Sequence, residues 1–223
     1  MLTRLSNLLE PDCLEDARKL LAGGRFVDGM LSAGMAAKRV KNNQELAADE
    51  RLMRQLNNLV MGSLVQHPVY RSAALPLRVA APYYARYSAG MSYGNHVDDP
   101  IMGQGNLYRS DISVTIFLSE PEDYDGGELI IQTPFGEQQV KLPAGDAVIY
   151  PSSSIHRVAE VTRGERVVAV SWIQSMIRDP EKRALLHELN QAREKLLRDN
   201  PDAEETSRVN YAYINLVRMW SEI

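Results

Sequence analysis

The chain has 223 residues, 44% of them apolar and 24% charged, and a formal net charge of −4. That length and balance suit a globular protein with one main domain and an appendage, whose core can enclose a dry site. The acidic balance argues against a general nucleic-acid binder, and no stretch approaches the roughly 20 apolar residues of a membrane span. The single cysteine, Cys13, leaves no intramolecular disulfide and reads as a buried structural thiol in a reducing compartment. Residues 1–10 do not read as a signal peptide, so the expected location is the cytoplasm.

In chain order, the segment up to about residue 68 reads as helical. Residues 11–21 place Leu14, Ala17, Leu20 and Leu21 on one stripe, and Gly23-Gly24 stops the helix. Residues 25–40, broken by glycine and other small residues, read as an extended edge segment. A longer helix is expected over residues 44–66, because Leu46, Met53, Leu56, Val60 and Leu64 recur at helical steps. Asn43 offers its N-cap and Pro68 its end.

From about residue 77 to 176 short apolar runs alternate with turn clusters. Residues 112–118, 128–132, 147–150 and 167–173 are the clearest strands, separated by Asp125-Gly126-Gly127, Pro134-Phe135-Gly136 and Pro143-Ala144-Gly145-Asp146. Many short strands at this spacing predict a double-sheet barrel of the jelly-roll kind. Residues 181–198 then form an amphipathic helix carrying Leu185, Leu189, Ala192 and Leu196. Asp199-Asn200-Pro201 breaks it, and residues 202–223 form a second helix with Val209, Tyr213, Leu216 and Trp220 in register. The expected organisation is an N-terminal helical region over 1–76, a barrel over 77–177 and a C-terminal helical hairpin over 178–223.

Three residues stand out chemically. His96 and Asp98 lie two apart, so in an extended chain they face the same space. His156 follows a strand that ends at Pro151. Separately, each is explained by a surface turn; together they offer two imidazoles and one carboxylate, the donor set of non-haem iron(II) oxygenases. A zinc hydrolase uses the same donors, and the ligands alone do not separate the two metals. Arg166 lies ten positions after His156. A solvated charged hairpin accounts for it, since Arg163 and Glu165 share its turn. Its guanidinium fork equally suits the distal carboxylate of a dicarboxylate bound deep in a barrel. His67 reads as a helix cap or surface residue and His187 as a solvated one. Lys41-Asn42-Asn43 reads as a helix-entry turn that could also touch substrate, and Met91, Met102 and Met176 read as packing.

His96-x-Asp98, His156 and Arg166, with the strand entry Gly126-Gly127-Glu128-Leu129 and the approach Tyr83-Tyr84-Ala85-Arg86-Tyr87, resemble the prolyl and lysyl hydroxylase domains of the iron/2-oxoglutarate dioxygenases. The whole chain looks like the bacterial PKHD-type hydroxylases, a group linked to iron uptake. That wider match takes in Gly24-Arg25-Phe26-Val27-Asp28-Gly29, Lys41-Asn42-Asn43 and the C-terminal helices. The resemblance implies a double-stranded β-helix with Fe(2+) held by His96, Asp98 and His156 at the barrel mouth. It implies 2-oxoglutarate anchored by Arg166, with Tyr87 at a position that often contacts it. Where some relatives carry a tyrosine on the next strand, this chain reads Thr115-Ile116-Phe117, which leaves the other co-substrate contacts open. The implied reaction consumes O2 and 2-oxoglutarate, releases succinate and CO2, and hydroxylates a peptidyl proline or lysine or a small metabolite, with L-ascorbate as reductant. A non-catalytic iron or 2-oxoglutarate sensor is the alternative. The C-terminal helices offer a contact for a homo-oligomer.

Overall fold

The computed structural model describes residues 1–32, 34–35, 37–103 and 105–223. The chain opens with β1 (Thr3–Leu5), α1 (Pro11–Ala22), β2 (Phe26–Asp28), β3 (Lys41–Asn42), β4 (Gln44–Leu46), α2 (Glu50–Gln66) and α3 (Pro68–Ala74). The central strands are β5 (Pro76–Val79), β6 (Tyr83–Ser88), β7 (Ser92–His96), β8 (Ile101–Met102), β9 (Tyr108–Arg109), β10 (Ile112–Phe117) and β11 (Tyr124–Gly126). They continue with β12 (Leu129–Thr133), β13 (Gly136–Val140), β14 (Ala147–Pro151), β15 (His156–Val158) and β16 (Val161–Ser175), before α4 (Pro180–Asp199) and α5 (Glu204–Trp220).

Two antiparallel sheets carry the fold, as a double-stranded β-helix requires. The larger runs β1-β14-β10-β16-β6-β4-β2, with β5 and β11 also paired to β16; the smaller runs β13-β12-β15-β7-β3. Alternation along each strand divides the larger sheet's side chains between two environments. Ile112, Val114 and Ile116 of β10, Ala147 and Ile149 of β14 and Ala169 of β16 pack with Leu56, Val60 and Leu64 of α2 and with Leu14, Ala17 and Leu21 of α1. Phe117, Val148, Tyr150 and Val168 turn the other way and meet Leu129, Ile131 and Val158 of the smaller sheet. The long N-terminal helix α2 therefore packs on one face of the larger sheet. α4 and α5 form the expected hairpin, which packs with Leu75 and Ile177 through Leu186, Tyr213, Leu216 and Trp220.

Several expectations need correction. The long helix starts at Glu50, where Asp49 accepts from the backbone N–H of Arg51 and Leu52, and not near Gln44 under an Asn43 cap. Gln44–Leu46 is a strand because β2 and β6 flank it with open backbone groups. The segment after residue 25 is extended only over β2; short 3-10 turns follow at Gly29–Ser32 and Ala37–Arg39. On α4 the buried face is Arg183, Leu186, His187 and Asn190, whereas Leu185 is 57% exposed. His187 is thus buried rather than solvated, its Nδ1 3.1 Å from Ser72 Oγ on α3, and burial lowers its pKa. His67 caps α3, its Nδ1 accepting from Tyr70 N–H. Cys13 is half-buried against the α1–α2 contact, with Sγ 3.8 Å from Leu59 O. Residues 3–5, with no strand expected, pair with β14, and Arg4 Nε donates to Asp146 there. Among the described residues no helix is long and apolar enough to cross a membrane.

Leu56 is fully buried between α2 and the sheet, so Leu56→Ala should cost about 2–5 kcal/mol through the cavity it leaves. Asp49→Ala removes only the cap and should cost about 1 kcal/mol. Urea unfolding of the two variants beside the parent checks both the sizes and their order.

Candidate active site

His96 ends β7, His156 opens β15, and the two are paired directly across the ladder. Opposed residues of an antiparallel pair share a face, with Cβ atoms about 4.5–5.5 Å apart. The pairing therefore brings the imidazoles together, with ring centroids 4.2 Å apart. Asp98, two residues on, keeps the side of His96, while Val97 between them is exposed. Asp98 Oδ1 lies 4.0 Å from His96 Nε2 and 3.8 Å from His156 Nε2. One ligand atom from each of the three falls within 4.8 Å of the others, a spacing at which a single metal ion could be shared.

Each ligand atom is oriented from behind. His96 Nδ1–H donates to Gly94 O at 2.8 Å and His156 Nδ1–H to Ser154 O at 3.0 Å, which leaves both Nε2 lone pairs toward Asp98. The far oxygen of Asp98 accepts from Ser113 Oγ, which also contacts Ser152 Oγ at 2.8 Å. Burial, and next the adjoining His156, push the pKa of His96 down to about 4, so this imidazole is neutral at physiological pH.

These residues open into a cavity of about 660 Å³ lined also by Tyr87, Thr115, Leu129, Tyr150 and Arg166, within the size range of small-molecule sites. Arg166 is interior to β16 and not in a hairpin turn. It pairs directly with Tyr87 of β6, so the two side chains share the barrel's inner face. Arg166 is 1% exposed. Its guanidinium lies 5.1 Å from the Tyr87 ring and 5.6 Å from that of Phe117. Its Nε has no hydrogen-bond partner among the described residues, and a buried polar group in that condition calls for a ligand or water. Gly127, at φ +67°, gives it room: a Cβ there would stand 3.1 Å from Arg166 Cδ.

Residues 82–174 match the family model of the 2OG-Fe(II) oxygenase superfamily, and residues 181–222 match that of the PKHD-type hydroxylase C-terminal domain. A PKHD-type hydroxylase of Thioalkalivibrio sulfidiphilus is 53% identical over the full length of both chains, and one of Stenotrophomonas maltophilia is 44% identical, again over both whole chains. The chain belongs to the PKHD-type hydroxylases. It is accordingly an Fe(II)/2-oxoglutarate-dependent dioxygenase, a family that uses iron(II), 2-oxoglutarate, O2 and a primary substrate. Two solved structures share the fold at low identity. A Pseudomonas putida prolyl-4-hydroxylase has a TM-score of 0.52 and 19% identity, covering 78% of this chain and 92% of that one. A Trichoplax adhaerens prolyl hydroxylase, in complex with a hypoxia inducible factor oxygen degradation domain peptide fragment, has a TM-score of 0.56 and 18% identity, covering 82% and 86%.

Sequence reasoning missed several residues of the site, in the cavity wall or directly behind it. Ser113 carries no motif; only its inward place on β10, next to the apolar residues that face α2, could have flagged it. Tyr93, three residues before His96, stacks on its ring at 3.7 Å. Glu45, expected in a helix, lines the cavity from a strand beside Lys41 and Asn43, whose tract reads in sequence as a helix-entry turn that could also touch substrate. Met102 also lines the cavity and accepts from Tyr108 Oη, Met91 packs beside the inner core, and Met176 packs under the C-terminal hairpin. His67 and His187 lie outside the cavity.

The lowered pKa of His96 ties stability to pH. The folded state resists protonating this ring between its ordinary value of 6.5 and about 4, whereas the unfolded chain binds the proton. The metal-free protein should therefore lose stability, on the order of 2–3 kcal/mol, as pH falls through that window. His96→Asn should flatten this part of the profile in urea titrations from pH 7.5 to 4.

Proposed function

We propose that His96, Asp98 and His156 hold the iron(II), that Arg166 with Tyr87 beside it binds the distal carboxylate of 2-oxoglutarate, and that the enzyme hydroxylates its substrate with release of succinate and CO2. The observation that carries this is one cavity holding two imidazoles and a carboxylate within 4.8 Å together with a buried arginine whose Nε lacks a partner among the described residues. The donor set fits the metal: two nitrogen lone pairs and one carboxylate oxygen on one side suit a non-haem iron(II) ion that keeps other positions open. A zinc hydrolase would use the same donors but gives Arg166 no task. When bound, iron(II) would activate O2 and 2-oxoglutarate would give up two of the electrons that reduce it, the substrate C–H bond losing the other two as it is hydroxylated.

The chain's own residues then orient and exclude. Gly94 O and Ser154 O hold the two imidazoles in one tautomer, and Ser113 leaves only one oxygen of Asp98 facing inward. Arg166 offers the dicarboxylate a charge-assisted, two-point contact in a dry setting, where such a bond is strong. Leu129, Val158 and Val170 keep the walls apolar. At the mouth Tyr83 meets Trp172 edge-on at 5.7 Å, and Trp172 Nε1 has no acceptor among the described residues. A ring-bearing substrate with a carbonyl, such as a peptidyl proline, satisfies both features, and two structural neighbours are named prolyl hydroxylases. A peptidyl lysine or a small metabolite is the other class of substrate. The link to iron uptake and the use of L-ascorbate as reductant rest on family resemblance, whereas a cytoplasmic location rests on the single cysteine and the N-terminal residues, and a homo-oligomer on the apolar C-terminal helices. The three-part division at residues 76 and 177 is likewise our reading.

Mixing protein, iron(II) and 2-oxoglutarate without oxygen should give a visible absorption band, and admitting oxygen should yield succinate. His96→Ala and His156→Ala should abolish iron-dependent turnover. Arg166→Ala should raise the 2-oxoglutarate requirement at least tenfold, since a buried carboxylate loses its charged partner at a cost of about 1.5–3 kcal/mol. Near-parental turnover in these variants with full iron loading contradicts the assignment. A band without succinate, in the presence of cell extract, would favour a sensor.

A further inference from the structure

β3 and β4 are separated by Asn43 alone, yet they belong to different sheets: β3 pairs with β7 and β4 with β6. The ribbon they form bridges one side of the barrel. Along it Lys41, Asn43 and Glu45 line the cavity, whereas Asn42 Nδ2 donates to Gly90 O and Gln44 accepts from Arg86. Lys41 is the direct cross-strand partner of Tyr93. Its ammonium pairs with Glu45 Oε1 at 2.5 Å and lies 5.5 Å over the Tyr93 ring. The Tyr93 ring in turn stacks on His96, 3.7 Å between centroids and 11° from parallel.

That stack needs a local irregularity. Residues 93 and 96 have opposite parity and in a regular strand would face opposite ways. The ladder here pairs His156 with His96 but Val158 with Tyr93, so β7 carries an extra residue between the two. Such a bulge re-aims side chains and turns both rings inward. Gly94, inside the bulge, lets the ribbon close on it, because a Cβ there would stand 2.8 Å from Val40 Cβ. Its carbonyl holds His96 Nδ1. One hydrogen bond fixes an edge of the imidazole and leaves its plane free to tilt; a stacked ring under a cation fixes the plane.

We infer that Lys41, locked by Glu45, is a positioning residue that sets the plane of His96 through Tyr93. The inference rests on reading His96 as a metal ligand. The ion pair is a poor stabiliser in its own right: both side chains are buried, 8% and 12% exposed, and a buried pair of charges is often replaceable by apolar groups without loss of stability. Its effect is to hold one cation against one ring, an attraction that strengthens when the pair is desolvated.

The test is titration with cobalt(II) alone, without 2-oxoglutarate, read by affinity and by the visible ligand-field bands. Lys41→Met/Glu45→Gln removes both charges together, so the net charge near the ion is unchanged and any effect reports geometry. This double variant and Tyr93→Leu should bind cobalt about tenfold more weakly with shifted bands, while Tyr93→Phe, which keeps the ring, should match the parent. Circular dichroism separates a misfolded variant from a folded one, and Lys41→Arg, which keeps the cation, should restore the parental spectrum. Parental affinity and bands in the double variant overturn the role of Lys41; weakening in Tyr93→Phe equal to that in Tyr93→Leu overturns the role of the ring. If His96→Ala binds cobalt as the parent does, the metal assignment itself has failed instead.

Discussion

The direct pairing of His96 with His156 is the contact on which the rest of the site depends. Side chains in a ladder alternate with a period of two, so a slip of one residue would send one imidazole to the opposite face of the sheet. With the pair in register, Asp98 arrives by its spacing from His96, and Ser113, from the facing sheet, reaches its outer oxygen. The site therefore spans the gap between the two sheets. Its geometry is only as good as their spacing, which the interdigitated residues Phe117, Val148, Leu129 and Ile131 maintain.

The larger sheet performs two tasks with one periodicity. Its outer side chains anchor α1 and α2; its inner ones bear the polar groups of the cavity. On β16, Val167 and Ala169 pack toward the helices, while Arg166, Val168 and Val170 face inward. Burying a guanidinium this completely is costly unless something compensates it. The surroundings are shaped for it: two aromatic rings lie beside it, and Gly127, in a conformation few side chains tolerate, leaves the space its methylene groups fill. Gly127 thus has a packing role at the arginine, while Gly126 lets the chain pass close to the backbone at Glu160.

The N-terminal segment shapes the active site as well as covering the barrel. β1 extends the larger sheet beside β14, and the β3–β4 ribbon closes a flank of the cavity. Glu45 and Lys41 enter the cavity because that ribbon alternates, and Asn43 enters between them. The C-terminal hairpin docks elsewhere, on α3 and the end of β16, where the buried His187 meets Ser72.

What the sequence determined by itself was local chemistry and period. His96-x-Asp98, the second histidine and the arginine could be read because their residue types permit few other joint uses, and α1, α5 and the strands around residues 112, 147 and 167 because their apolar spacing matched one geometry. Tertiary structure alone decided the rest. Gln44–Leu46 became a strand because flanking strands offered backbone partners, which outweighs weak helical propensity. α4 buried Leu186 and His187 rather than Leu185 because α3 defines which face is covered, and a stripe containing several leucines does not. Tyr93 and Ser113 entered the site through a bulge and a pairing register, and Lys41 through a partner strand. These are relations between distant segments, and no spacing within one segment encodes them.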